Sequence, residues 1–256
     1  MSLVETDWLE KNIQDVKIID CSWHMPQTKR NGFEEYKLKH IPNAIYFDLD
    51  NNSKKDTDLP HMLVEINQWE KILSTMGIKN DDKIIIYDNS DVASACRCWF
   101  NFIYFGHNSN LVHVLNGGLG KWIKEKKEVT NNKTNIKISS YKGIEKKELV
   151  KNKKSINQNI DEQKFKLIDA RSEERFKGNI PEPRKGLKSG SIKNSFCIPF
   201  NYCLNEDKTF KKKEDLKIIF ETCLQNINEK NIVFSCGSGV TACVLALAYS
   251  LINDKY

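Results

Sequence analysis

The sequence predicts an α/β protein in which one parallel-sheet domain, with helices on both faces of its sheet, is written twice. Three observations carry that reading. Short apolar runs at residues 16–20, 83–87 and 231–235 have the continuous hydrophobicity of strands buried on both sides. Segments with helical patterning alternate with them, as a parallel sheet requires. The order of segments in the first half also returns in the second, over a length that indicates domain duplication and not a solenoid.

The elements can be followed in order. Residues 3–12 read as a short helix and 16–20 as a buried strand, whose echo is 165–169. A charge-rich loop then leads to residues 40–48, matched by 191–200. Polar helices follow at 64–77 and 213–224, and each half next reaches an apolar strand, at 83–87 and 232–235. Aligned on those strands, Asp88-Asn89-Ser90-Asp91 falls opposite Cys236-Gly237-Ser238-Gly239. The first half continues through a helix, a strand at 111–115 and a helix opened by Gly117-Gly118-Leu119. Residues 1–128 are therefore expected to form one domain, 129–142 a polar linker, and 143–256 the second domain. The first half has 40 residues after Asp88 up to Glu128, whereas 20 follow Cys236. The second domain is accordingly expected to lack its last strand and helix.

Composition narrows the function classes. Hydrophobic residues make up 39% of the 256, enough for a core, and the net charge is +6. The lysine excess sits in patches at 146–154 and 211–213, read as solvated faces. No aromatic platform accompanies them, so no nucleic-acid partner is expected. The N-terminus carries acids at once and no apolar leader, and no run approaches a membrane span. The expectation is a soluble cytoplasmic chain without a membrane partner. Eight cysteines without framework spacing suit a reducing compartment. Cys96-Arg97-Cys98 reads as packing, since no second pair or histidine cluster completes a zinc site.

The chemistry centres on residues 236–242, Cys-Gly-Ser-Gly-Val-Thr-Ala, between a strand and an Ala/Leu-rich helix. Gly237 and Gly239 let the backbone turn its N–H groups inward, and the helix N-terminus adds partial positive charge. A thiol placed there is driven toward the nucleophilic thiolate. The N–H groups of Gly237, Ser238, Gly239, Val240 and Thr241 are expected to cradle an anion. After the second domain's first strand come Arg171, Arg175 and Arg184. A planar guanidinium at the carboxyl end of a parallel strand suits a carboxylate, and Arg171 is expected to pair with Asp169 or Glu173. A phosphatase loop of the form Cys-x5-Arg shares this architecture, but Ala242 stands where its arginine is needed.

These residues carry a resemblance. The heptapeptide resembles the active-site loop of the mercaptopyruvate-type sulfurtransferases of the tandem-domain rhodanese superfamily. The resemblance extends through residues 47–50, 61–63 and 117–122. Asn116 stands where the family usually has aspartate, and Ser191 and Lys193 replace its usual His and Pro. The resemblance implies an inactive first domain, with Asp88 at the cysteine position. It implies that Cys236 takes sulfur from 3-mercaptopyruvate as a persulfide, releases pyruvate, and passes the sulfur to cyanide or to a thiol acceptor such as a thioredoxin-like protein or small thiol. It implies that Arg175 and Arg184 clamp the substrate, and that Asp50, His61 and Ser238 form a proton-handling set across the domain interface. No metal or organic cofactor is implied. Thiosulfate as donor is the enzymatic alternative. A catalytically impaired sulfur-binding or scaffold protein is the other, suggested by the short second half.

Overall fold

The computed structural model describes residues 2–184, 186–224 and 231–253. The first domain runs β1 (Leu3–Val4), α1 (Thr6–Asn12), β2 (Lys17–Asp20), α2 (Gly32–Leu38), β3 (Ala44–Tyr46), α3 (Ile66–Thr75), β4 (Ile84–Tyr87), α4 (Ala95–Tyr104), β5 (Val112–Leu115) and α5 (Gly118–Lys124). The second runs α6 (Lys153–Glu162), β6 (Lys166–Asp169), α7 (Glu173–Lys177), β7 (Phe196–Cys197), α8 (Lys213–Glu221), β8 (Ile232–Ser235) and α9 (Ala242–Asn253). Among the described residues every pairing between these strands is parallel. The first sheet has the order β1-β5-β4-β2-β3, and the second, among the described residues, β7-β6-β8.

The repeat is real in register. Ile18 pairs with Ile85 and Ala44 in the first sheet, while Ile168 pairs with Phe234 and Phe196 in the second. The two sheets differ at the strand that precedes the loop opening on Asp88 or Cys236. In the first, β4 lies between β5 and β2, and all four of its residues are buried. In the second, β8 is at the sheet edge among the described residues, and its four residues are only half-buried. Residues 3–12 are not one helix. Leu3 and Val4 pair with Val114 and Leu115, because an edge of β5 is open there, and the helix begins at Thr6.

Helix α9 is buried almost all round, from Ala242 to Ser250. A helix apolar on every face must be covered on every face. It packs against α4 of the first domain, against α8, and against the 3-10 turn Phe200–Cys203. The helices that follow the two equivalent strands therefore meet at the domain interface, and one hydrophobic cluster runs through both domains.

The polar stretch 129–142 is strapped to the first domain. Thr130 bridges to His40, the Thr134 hydroxyl donates to the Ala44 carbonyl at 2.6 Å, and Tyr141 is 1% exposed, its ring parallel to that of His107. Its composition reports exposed side chains, whereas its backbone and Tyr141 find partners.

Candidate active site

Cys236 sits where β8 ends and turns toward α9. Its Sγ accepts a hydrogen bond from the Gly239 N–H at 3.1 Å. Gly239 has φ of +74°, a left-handed conformation that disfavours any side chain. A Cβ there would also lie 2.5 Å from Arg97 Nη1. Loop geometry thus turns one backbone N–H onto the sulfur at the positive end of a twelve-residue buried helix. Val240 is buried and Thr241 leads into α9.

The first domain shows what the same architecture does with a carboxyl group. Asp88 follows β4 as Cys236 follows β8. Its carboxylate accepts the Ser90 N–H at 2.8 Å and the Ala95 N–H, at the start of α4, at 2.7 Å. Burial pushes the Asp88 carboxyl up, and these two bonds pull it back down. The first-domain cradle is filled by its own side chain. A cavity of about 290 Å³ lies beside it, lined among others by Ser90, Gly118, Lys121, Lys208 and Phe210, and not by Cys236.

Two arginines come close to Gly237. Arg184 donates from Nη2 to the Gly237 carbonyl. A Cβ on Gly237 would stand 3.2 Å from Arg175 Nη2. Glycine here lets the guanidinium come close without that side chain having to shift by a few tenths of an ångström. Arg175 is held by Glu182 through a fork of 3.0 and 2.6 Å. Glu182, with its side chain 4% exposed, also accepts from Arg171 at 2.8 Å. The Arg175 guanidinium, and then Arg171, hold the Glu182 carboxyl below the usual range against the opposing effect of burial. Arg171 pairs with Asp169, as its position suggested. Its second carboxylate is Glu182 and not Glu173, because Glu173 is taken by Lys177 and Tyr202.

Across the interface, His61 Nε2 lies 2.9 Å from Asp50 Oδ1. The Trp23 indole N–H donates to both Asp50 oxygens at 3.0 Å, and its ring meets His61 edge-on at 4.8 Å. The His61 bond is the main reason that the Asp50 carboxyl lies below its ordinary value. His61 Nδ1 is buried without a hydrogen-bond partner, so the ring does not bond the Ser238 hydroxyl. The set expected to run Asp50–His61–Ser238 is closed instead by Arg97 of α4. Its Nη1 donates to the carbonyls of Gly239 at 2.9 Å and Ser238 at 3.4 Å, and its Nη2 to the His61 carbonyl. Its Nε donates to Asn101 Oδ1 at 2.9 Å.

Arg97 and Glu182 are the site residues that sequence reasoning missed. Arg97 was masked by its cysteine neighbours, though an arginine inside an otherwise apolar helix face was a signal. Cys243 is a core residue, 5% exposed, its thiol pushed by burial up to about 12. No group of three or more metal-ligating side chains occurs among the described residues.

A duplicated parallel-sheet domain in which one of the two equivalent strand-to-helix loops opens on a cysteine defines a class, the rhodanese-like proteins. Residues 5–125 and 152–254 match the rhodanese-like domain, and this chain belongs to that family. It is 38% identical to the Arabidopsis thaliana thiosulfate/3-mercaptopyruvate sulfurtransferase 1, mitochondrial, over 96% of this chain and 70% of that one. It is 34% identical to the Rattus norvegicus thiosulfate sulfurtransferase, over 96% of this chain and 85% of that one. The crystal structure of SseA, an Escherichia coli 3-mercaptopyruvate sulfotransferase, superposes with a TM-score of 0.88 at 29% identity, covering 98% of this chain and 94% of that one. No helix among the described residues is long and apolar enough to cross a membrane.

Proposed function

We propose that this protein is a sulfurtransferase that takes sulfur from 3-mercaptopyruvate onto Cys236 and delivers it to a thiol. The observation that carries the reading is the Cys236 sulfur on the Gly239 N–H, with Arg175 and Arg184 both close to Gly237. The Cys236 thiolate attacks the substrate sulfur. The new S–S bond forms as the substrate's S–C bond breaks, and the electron pair leaves with the three-carbon fragment as the enolate of pyruvate, which takes up a proton. An acceptor thiolate then attacks the outer sulfur and returns Cys236 to its thiolate. Cyanide serves equally as acceptor in an assay, and among proteins a thioredoxin-like thiol fits the chemistry. Arg184, with Arg175 braced by Glu182, binds the donor carboxylate. The backbone of Gly237, Gly239, Val240 and Thr241 frames the sulfur. Asp50 and His61 serve proton movement, with Ser238 lending its backbone to their bridge.

In this reading residues 1–128 are the inactive domain, 143–256 the catalytic one, and 129–142 the join. Eight free cysteines support a reducing compartment such as the cytoplasm, whereas the Arabidopsis relative is named as mitochondrial. Thiosulfate is the second reading for the donor, supported by the name of the rat relative. The uncharged side chains at Gly237 and Ser238 favour the keto acid over a dianion.

Mass spectrometry after incubation with 3-mercaptopyruvate should show one added sulfur with release of pyruvate, and Cys236→Ser should abolish both. Equal loading on Cys236→Ser would sink the assignment. A higher kcat/KM for thiosulfate would overturn the donor.

A further inference from the structure

Arg97 belongs to the domain without a nucleophile, yet it is 5% exposed and its guanidinium reaches the backbone of the catalytic loop. The contact has a geometric consequence. In a planar trans peptide the carbonyl and the N–H point in opposite directions. The Ser238 carbonyl and the Gly239 N–H belong to one peptide unit. Arg97 holds its carbonyl end at 3.4 Å, and its N–H end donates to Cys236 Sγ at 3.1 Å. The same guanidinium nitrogen holds the next carbonyl, Gly239, at 2.9 Å, so the turn is fixed at two successive oxygens. Asn101 aims the fork through Nε, and the third anchor is the His61 carbonyl, on the segment that carries the Asp50–His61 pair.

We infer that Arg97 is a positioning residue through which the first domain aims the Ser238–Gly239 peptide at the Cys236 sulfur, keeping an N–H on the thiolate and locking the His61 segment to the catalytic loop. The inference rests on the sulfurtransferase reading only for its biological use. The alignment of the peptide is independent of the donor. It assigns the duplicated domain a role: α4 has lost the nucleophile of its own loop and supplies the brace for that of its neighbour. A flexible ammonium could reach one of these carbonyls, whereas the planar guanidinium reaches three.

The test is the rate of iodoacetamide alkylation of Cys236 against pH, followed by peptide mass in the full chain, for wild type, Arg97→Met and Arg97→Lys. Among the described residues the other charged or titratable groups around the loop are Arg175, Arg184, Cys243, His61 and Asp50, unchanged in all three. Arg97→Met should alkylate about tenfold more slowly near pH 7, the scale of one lost hydrogen bond to a charged group. The gap should close at pH values where the thiol is fully ionised. Arg97→Lys should fall between. The kcat for sulfur loading should drop with KM within about twofold, the pattern of an interaction that acts on the nucleophile and not on donor binding. A wild-type profile for a folded Arg97→Met overturns the inference. So does slowing by one factor at every pH, which would mark altered access alone. Should Arg97→Met fail to fold, Asn101→Leu keeps the charge but removes the acceptor that aims it, and the same two profiles decide. A chain that never loads sulfur yet shows pH-dependent slowing would sink the donor reading and leave Arg97 in place.

Discussion

Glu182→Gln is the perturbation whose outcome the structure fixes most fully. Glu182 is the hub of the arginine cluster, with a side chain 4% exposed between Arg175 at 24% and Arg171 at 11%. Its carboxylate accepts a fork from Arg175, at 3.0 and 2.6 Å, and a third bond from Arg171 at 2.8 Å. Glutamine keeps one carbonyl acceptor and loses the charge. A charge-assisted bond in such a setting is worth about 1.5–3 kcal/mol, and stranding a buried partner costs about 3–5 kcal/mol. Arg171 retains Asp169, so the loss falls mainly on Arg175, and about 3 kcal/mol is expected. At roughly 2–4 °C per kcal/mol for a chain of this size, calorimetry at neutral pH should show Tm lower by roughly 6–12 °C. The pH dependence has a definite sign. Glu182 is held below its ordinary value of 4.5, so its contribution is complete above that value and is lost as pH falls through the lower native value. The gap between wild type and variant should therefore be constant from neutrality down to about pH 5 and narrow below it. A Tm within about 1 °C of wild type at neutral pH, or a gap that widens on acidification, would refute the reasoning.

Two further outcomes can be checked together. In the native protein, alkylating reagent near pH 8 should modify Cys236 before Cys21, Cys96, Cys203 or Cys243, because burial pushes those four thiols up, Cys203 and Cys243 to about 12; modification of Cys243 first would contradict the packing. Backbone amides of β8 should exchange faster with solvent than those of β4, since β8 is half-buried at a sheet edge and β4 is buried between two neighbours; equal protection would show that β8 is covered in solution.

Much of the fold follows from local pattern. The runs Ile84-Ile85-Ile86-Tyr87 and Ile232-Val233-Phe234-Ser235 specify strands, because only strands flanked by helices are apolar without alternation. Gly237 and Gly239 beside Cys236 specify a loop that turns its N–H groups inward, and the repeat shows that Asp88 replaces the thiol. Local pattern is weaker where the partner lies far along the chain. Leu3-Val4 became a strand because β5, more than a hundred residues later, offers an edge, and nothing within the pair announces that. The linker is pinned by His40 and Ala44, whose backbone groups composition does not report.

What the sequence by itself determined is the duplicated sheet, the glycine loop that opens on Cys236 and the arginines that follow Asp169, because each rests on residues close together in the chain. What only the tertiary structure decided is how they are held. Glu182 braces Arg175 and Arg171, Trp23 holds Asp50, and Arg97 crosses from α4 to the carbonyls of Ser238 and Gly239. Those contacts join groups as far as 142 residues apart, and the longest of them, from Arg97, exists because α4 packs against α9. Hydrogen bonds act over about 3 Å of space without regard to separation along the chain, so a reading made along the chain reaches them only after the helices have met.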